Sequence, residues 1–326
     1  MRRRLAPILG ALVLLPLGAA AAGGPNVVHQ VLPGGLRLLA RHDPNARVVT
    51  VSLQVRSGSR YETPDTAGLS NFVQRVMIRG TTKRSARQLV EAAEDIGGSL
   101  EASSDVEHAE IRGGALAEHA KTLLELIADV ALAPAFTEDE VERERRLIVN
   151  QIQTRAETPF AIALDALTAQ LYGSHPLALP VLGRKASVER LGREDLVGHH
   201  RRVYRMGNMV LAVSGGVKPE SVRRYVERLF ALTPVGEMDE PARSAPTPTR
   251  ERRVLDRQAQ QAQVLIGFLG PGIGEPDYAP GKIMSAVLGL RRLRRYWITA
   301  SESFKKKINC LVCRRALWTM ASAGQR

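Results

Sequence analysis

Seven histidines and two cysteines are the side chains in this chain best suited to hold a metal or to act as base or nucleophile. Their spacing argues against both uses. His29 and His42 fall at strand or turn edges, His108 and His119 flank a hairpin, and His175 precedes a proline. His199 and His200 are adjacent and so point to different faces of a helix. None stands one helical turn from a second ligand with a carboxylate base beside it, the arrangement that activates a zinc-bound water. Cys310 and Cys313 form a Cys-x-x-Cys pair, a redox or metal half-site, with no second pair or His partner nearby. Gly215-Gly216 and Gly270-Pro271-Gly272 read as turns, because neither continues into the Gly-Lys-Ser/Thr of a phosphate cradle.

The informative segment is Gly68-Leu69-Ser70-Asn71-Phe72-Val73-Gln74-Arg75-Val76-Met77-Ile78-Arg79-Gly80-Thr81. It resembles the segment of insulinase-like peptidases (the pitrilysin and mitochondrial processing peptidase family) in which Gly-Leu, an aromatic residue and a final basic residue with Gly-Thr surround the inverted zinc motif His-x-x-Glu-His. Further stretches support the resemblance in order and spacing: Gly97-Gly98-Ser99, His175-Pro176-Leu177, Tyr204-Arg205-Met206-Gly207-Asn208, Gln260 to Val264 and Pro276-Asp277-Tyr278. It extends from about Val27 to Gly289.

The resemblance implies which residues stand at the working positions. In the family motif two His one turn apart reach the same ion while the Glu acts as general base; here those places hold Asn71, Gln74 and Arg75. A later family helix supplies the remaining Glu ligand, within a stretch similar to 141–152. Glu144 matches its first acidic position, but the ligand position seven residues on is Gln151. Amides are poor zinc ligands, and a Gln amide takes up no proton. Arg75 stays protonated, and a unit charge roughly 4 Å from a dication costs on the order of 8 kcal/mol at an effective dielectric of about 20. The catalytic position is therefore degenerate at Gln74, the metal positions are degenerate at Asn71, Arg75 and Gln151, and no cofactor is expected.

The elements that must position these residues follow from periodicity. Val27 to Leu39 reads as two strands about a Pro33-Gly34-Gly35 turn, and Val49, Val51, Leu53 and Val55 alternate as a half-buried strand. From Gly68 the period becomes helical. Ser85 and Gly97 bracket a second helix, a hairpin spans Leu100 to Gly114, and long helices follow at 117–131 and from Thr137, the latter with acids in its first turns. Helices over 159–171 and 193–204, a strand over 209–213 and a helix over 219–229 complete an α+β sandwich of the processing-peptidase type. A Pro-rich linker then precedes a second, homologous start, with strand character over 254–269 and a helix over 281–288. The expected organisation is a signal peptide over 1–22, a complete peptidase-like domain over 23–233, a linker over 234–250, a partial second domain over 251–289 and an aberrant basic tail over 290–326.

Composition fixes what the partners are not. The formal charge is +13, but Arg2 to Arg4 carry +3 and residues 291–326 carry +9, so the body is close to neutral and offers no footprint for a phosphate backbone. Nucleic acid is excluded as a partner. Met1-Arg2-Arg3-Arg4, the apolar run from Leu5 to Leu17 and the small residues after it read as a cleaved signal peptide, hence a periplasmic or secreted protein with no stable membrane span after cleavage. An uncleaved anchor and a transit peptide are the other readings of these residues. Both cysteines and both tryptophans lie in the tail, and the abrupt change after Gly289 reads as a frameshift or truncation.

Taken with the resemblance, these residues describe a bacterial-type, non-catalytic subunit, a pseudo-peptidase. The family's habit of pairing active with inactive chains implies a heterodimer with a zinc-bearing homologue and a peptide substrate held in extended form. Two other functions remain open at this point: a structural or assembly subunit with no proteolytic role, and an active metallopeptidase working through an unrecognised site.

Overall fold

The computed structural model describes residues 27–239, 251–257, 262–290, 296–298 and 308–312. The residues expected to form a signal peptide, most of those expected to form the linker and most of the expected basic tail lie outside them. The first strands are β1 (Val27–Val31) and β2 (Arg37–His42), hydrogen-bonded antiparallel across the expected Pro33-Gly34-Gly35 turn. β3 (Val48–Arg56) follows; its Val49, Val51, Leu53 and Val55 are buried while Thr50 and Gln54 face solvent, the alternation its sequence predicts. Next come α1 (Leu69–Met77) and α2 (Ala86–Asp95), then the hairpin β4 (Ser99–Ser104) and β5 (His108–Leu116). Ser85 caps α2 with a full capping box, its hydroxyl accepting from the Gln88 amide while Gln88 accepts from the Ser85 amide.

The helical block comprises α3 (Ala120–Leu132), α4 (Glu138–Glu157), α5 (Pro159–Tyr172), α6 (Lys185–Arg190) and α7 (Arg193–Val203). β6 (Met209–Gly215) and α8 (Pro219–Leu229) close this unit. Two details differ from the sequence reading. Residues 117–119 form a single 3-10 turn before α3 begins, and Thr137 occupies the N-cap of α4 without a side-chain hydrogen bond, leaving Glu138, Asp139 and Glu140 to meet the helix dipole.

The six strands pair in the order β1-β2-β6-β3-β5-β4. β6 is parallel to β2 and antiparallel to β3, so it joins the opening hairpin to the β3-β5-β4 meander. One sheet face carries the buried apolar side chains, and against it pack Phe72, Val73, Val76 and Met77 of α1, Leu123, Leu126 and Ile127 of α3, and Val226 of α8. This α+β sandwich is the predicted fold class.

The second unit comprises β7 (Leu265–Leu269), α9 (Tyr278–Leu290), β8 (Tyr296–Ile298) and β9 (Ile308–Val312), with strand order β7-β9-β8. The strand expected over 254–269 is limited to β7: residues 254–257 carry no regular structure, and Val254 and Leu255 are exposed within an Arg-rich run. β7 lies on α5, where Gly267 lets the strand approach Leu167 and Leu171.

Gly58, just after β3, has φ +109°, and a Cβ there would lie 2.3 Å from the Asp105 carbonyl oxygen. Gly58→Ala is expected to cost about 2–4 kcal/mol in urea unfolding. A cost below about 0.5 kcal/mol would mean that this turn relaxes freely.

Candidate degenerate metal centre

The helix that carries the motif starts where buried partners hold it. Gly68 takes a left-handed conformation, φ 93°, and packs on Gly183 so closely that a Cβ would stand 2.7 Å from the Gly183 Cα. The Glu62 carboxylate accepts from the backbone amides of Gly68 and Ser70, at 2.8 and 2.7 Å, and so satisfies donors that the first turn of α1 leaves open. Burial pushes the Glu62 carboxyl above its ordinary range, and those same amides pull it back. Ser187 at the start of α6 donates to the Ala67 carbonyl at 2.7 Å.

Beside this cap lies a buried polar knot. Ser57 Oγ donates to Ser70 Oγ at 3.3 Å, Ser70 Oγ accepts from the Gly58 amide, and His199 Nε2 is 3.2 Å from Ser57 Oγ. On the other side of the ring Arg202 lies 3.1 Å from Nδ1. A guanidinium only donates, so Nδ1 accepts and Nε2 carries the proton. Burial first, then the charges of Arg202 and His200, lower the His199 pKa to about 3. Ser57 and His199 therefore have the distance of a nucleophile and base but the wrong tautomer for that chemistry, and both are buried. Their work is to seat the start of α1.

Along α1 and just past its end, four side chains carry the degenerate motif or extend it. Gln74 Nε2 donates to the Tyr204 hydroxyl at 2.6 Å, fixing the amide against the end of α7. Tyr204 is itself buried, which raises its phenol above the ordinary value. Gln74 Oε1 and Asn71 Nδ2 are buried without a hydrogen-bond partner. Arg75 reaches α4 and donates from Nε to Glu144 Oε2 at 2.7 Å and from Nη1 to Gln151 Oε1 at 2.8 Å. One turn on, Arg79 Nε donates to the other Glu144 oxygen at 2.7 Å. The Glu144 side chain is 0% exposed, so its charge is neutralised by two arginines and by nothing in solvent.

The fold thus brings Arg75, Glu144 and Gln151 into direct contact and places Gln74 against Tyr204, while Asn71 joins none of these bonds. Zinc needs neutral imidazoles and free carboxylates; this set offers amides, a permanent cation and one carboxylate already doubly paired, and it does not fit the ion. Among the described residues no three His, Cys, Asp or Glu side chains converge to hold a metal. Two participants escaped sequence reasoning. Arg79 appears in the sequence only as the basic residue before Gly-Thr, and Tyr204 lies 130 residues from Gln74 with no local signal to link them.

A groove of about 200 Å³ opens between the end of α1, α2 and β4, lined by Ile78 after α1, Leu89, Val90, Ala93 and Glu94 of α2, and Leu100 of β4. β4 is an edge of the six-stranded sheet, paired with β5 on one side and, among the described residues, with no strand on the other.

Comparison with known proteins agrees with this architecture. A family model described as Insulinase (Peptidase family M16) matches residues 37–185, and one described as Peptidase M16 inactive domain matches 190–304, past the point where the sequence resemblance was read to stop. The chain is 31% identical over 272 residues to a probable mitochondrial-processing peptidase subunit beta of Arabidopsis thaliana, covering 81% of this chain and 51% of that protein. It is 32% identical over 256 residues to an uncharacterized zinc protease of Mycobacterium leprae, covering 77% and 58%. Cytochrome b-c1 complex subunit 1 of Mus musculus is 31% identical over 270 residues, covering 81% and 56%. The chain spans about half the length of these relatives. Among solved structures, a peptidase M16 inactive domain from Pseudomonas fluorescens shares the fold with a TM-score of 0.81 at 17% identity, covering 88% of this chain and 74% of that one. A protease from Helicobacter pylori does so with a TM-score of 0.77 at 16% identity, covering 92% and 79%. The two family models, which together run from residue 37 to 304, and the shared fold place the chain in the insulinase family of peptidases, M16.

Proposed function

We propose that this protein is a non-catalytic subunit that pairs with a zinc-bearing homologue and holds peptide in extended form without cutting it. One observation carries the reading: the Arg75 guanidinium is bonded to Glu144 and Gln151, the side chains of α4 that face the motif helix. Without a dication there is no water of lowered pKa, and Gln74 accepts no proton from one. The Ser57 and His199 pair offers no substitute, because its imidazole carries a proton on the nitrogen facing the serine. Peptide would add as a strand along the open edge of β4, its main chain hydrogen-bonding to the edge and one side chain entering the apolar groove at Leu89, Val90 and Leu100. In the same reading the chain is exported to the periplasm by its N-terminal segment, and residues 23–233 form the peptide-holding domain.

The test is to purify this protein alone and together with a His-x-x-Glu-His homologue from the same cell, and to follow cleavage of a fluorogenic peptide. The expected result is no cleavage by the chain alone and a co-eluting complex more active than the homologue by itself. Chelator-sensitive cleavage by the chain alone, or a complex with no added activity, would sink the reading.

A second reading has one observation in its favour, the similarity to a subunit of the cytochrome b-c1 complex at 31% identity. There the same chain would serve as an assembly scaffold, and its co-purifying partners would be proteins unrelated to peptidases.

A further inference from the structure

We infer that Arg75 is a built-in substitute for a metal ion as the cross-link between α1 and α4, so that the fold of the motif helix is independent of metal supply. A bound dication joins two helices by drawing donors from each. Here the joining cation is covalently part of α1, and it draws oxygens from two positions of α4 seven residues apart, Glu144 at 2.7 Å and Gln151 at 2.8 Å. Residues seven apart on a helix lie on one face, so both acceptors meet the same guanidinium. Its planar fork supplies two donors in fixed directions, which an ammonium group does not.

The neighbours are arranged to keep this link in place. Arg79 takes the second Glu144 oxygen and completes the neutralisation of a carboxylate with no access to solvent. Phe72, which faces the core from α1, lies under the Arg145 guanidinium of α4 at 5.4 Å, adding a second tie between the same two helices. A metal link strengthens with metal concentration, since ligand binding stabilises by mass action; a guanidinium link has no such dependence. The inference concerns how α1 is anchored and does not depend on peptide binding.

The experiment compares thermal unfolding of the full chain with that of the triple variant Asn71→His/Arg75→His/Gln151→Glu, each with chelator and with added zinc. Wild type is expected to melt at the same temperature in both conditions. The variant is expected to melt at least about 5 °C lower with chelator and to return toward wild type with zinc, with cobalt(II) absorption bands reporting tetrahedral binding. A chelated triple variant as stable as wild type, or metal binding without any gain in melting temperature, would overturn the inference. Should the triple variant not fold in either condition, Arg75→Gln and Arg75→Lys decide. Arg75→Gln must melt lower than wild type, with Arg75→Lys in between, and equal melting of all three would overturn it. A wild-type chain that melts lower in chelator overturns the inference even if it cleaves no peptide.

Discussion

Glu144→Gln is expected to lower the free energy of unfolding by about 3 kcal/mol, more than loss of either arginine that pairs with it. The carboxylate is fully buried between Arg75 and Arg79, and removing its charge leaves two cations one helical turn apart with no counter-ion between them. Arg75→Gln is milder, about 1–2 kcal/mol, because Arg79 still neutralises Glu144. Combining Arg75→Gln with Glu144→Gln should cost less than the sum of the two, since Arg75→Gln removes one of the two cations that Glu144→Gln leaves without a counter-ion. Urea unfolding at fixed pH and salt reads all three differences. The account fails if Glu144→Gln costs under about 0.5 kcal/mol or if Arg75→Gln proves the more damaging change.

Stability should also fall steeply as pH drops from about 6.5 toward 3, chiefly through His199. In the unfolded chain this imidazole takes a proton near its ordinary value of 6.5, whereas folded it stays neutral down to about 3. Over that interval the unfolded state binds more protons. The stabilisation is therefore complete above pH 6.5 and is lost as pH falls, up to about 5 kcal/mol at the acid end. His200 adds in the same direction: it is half-buried and packs between Phe136 and Tyr204, and desolvation lowers its pKa too, although its bond to the Ala131 carbonyl opposes this. Glu62 works the other way, because its carboxyl is raised and the folded state there binds its proton more readily; its contribution is present at low pH and disappears as pH rises. His199→Gln is expected to flatten the plot of unfolding free energy against pH between 6.5 and 3, whatever its effect at pH 8. An unchanged slope in that variant would place the proton uptake elsewhere.

How much of this was legible in the sequence depended on the range of the interaction. The N-cap at Ser85, the alternation of β3 and the apolar stripe of α1 are each written within a dozen residues, and each is found where the sequence puts it. The degenerate positions were legible as residue types, but their bonds were not. Arg75 reads as a cation hostile to metal; that it spends its donors on Glu144 and Gln151 depends on how α1 crosses α4, which no local pattern encodes. His199 reads as an ordinary helical histidine, and only the convergence of β3, α1 and α7 puts it among Ser57, Ser70 and Arg202. The strand read over 254–269 was too long because the valine and leucine at 254 and 255 suggested burial, yet among the described residues both stay exposed.

The position of β6 between β2 and β3 has a consequence for how the molecule comes into being. Among the described residues no strand of one half of the large sheet is hydrogen-bonded to a strand of the other except through this one, so the opening hairpin and the β3-β5-β4 meander are not joined into one sheet until residues 209–215 arrive. Closing chain loops this long before any pairing rewards them makes folding slow, and until then the two half-sheets leave unpaired edges exposed to other chains. A ribosome-bound fragment ending before Met209 would thus be prone to aggregate, and the commitment to the native state falls late in synthesis.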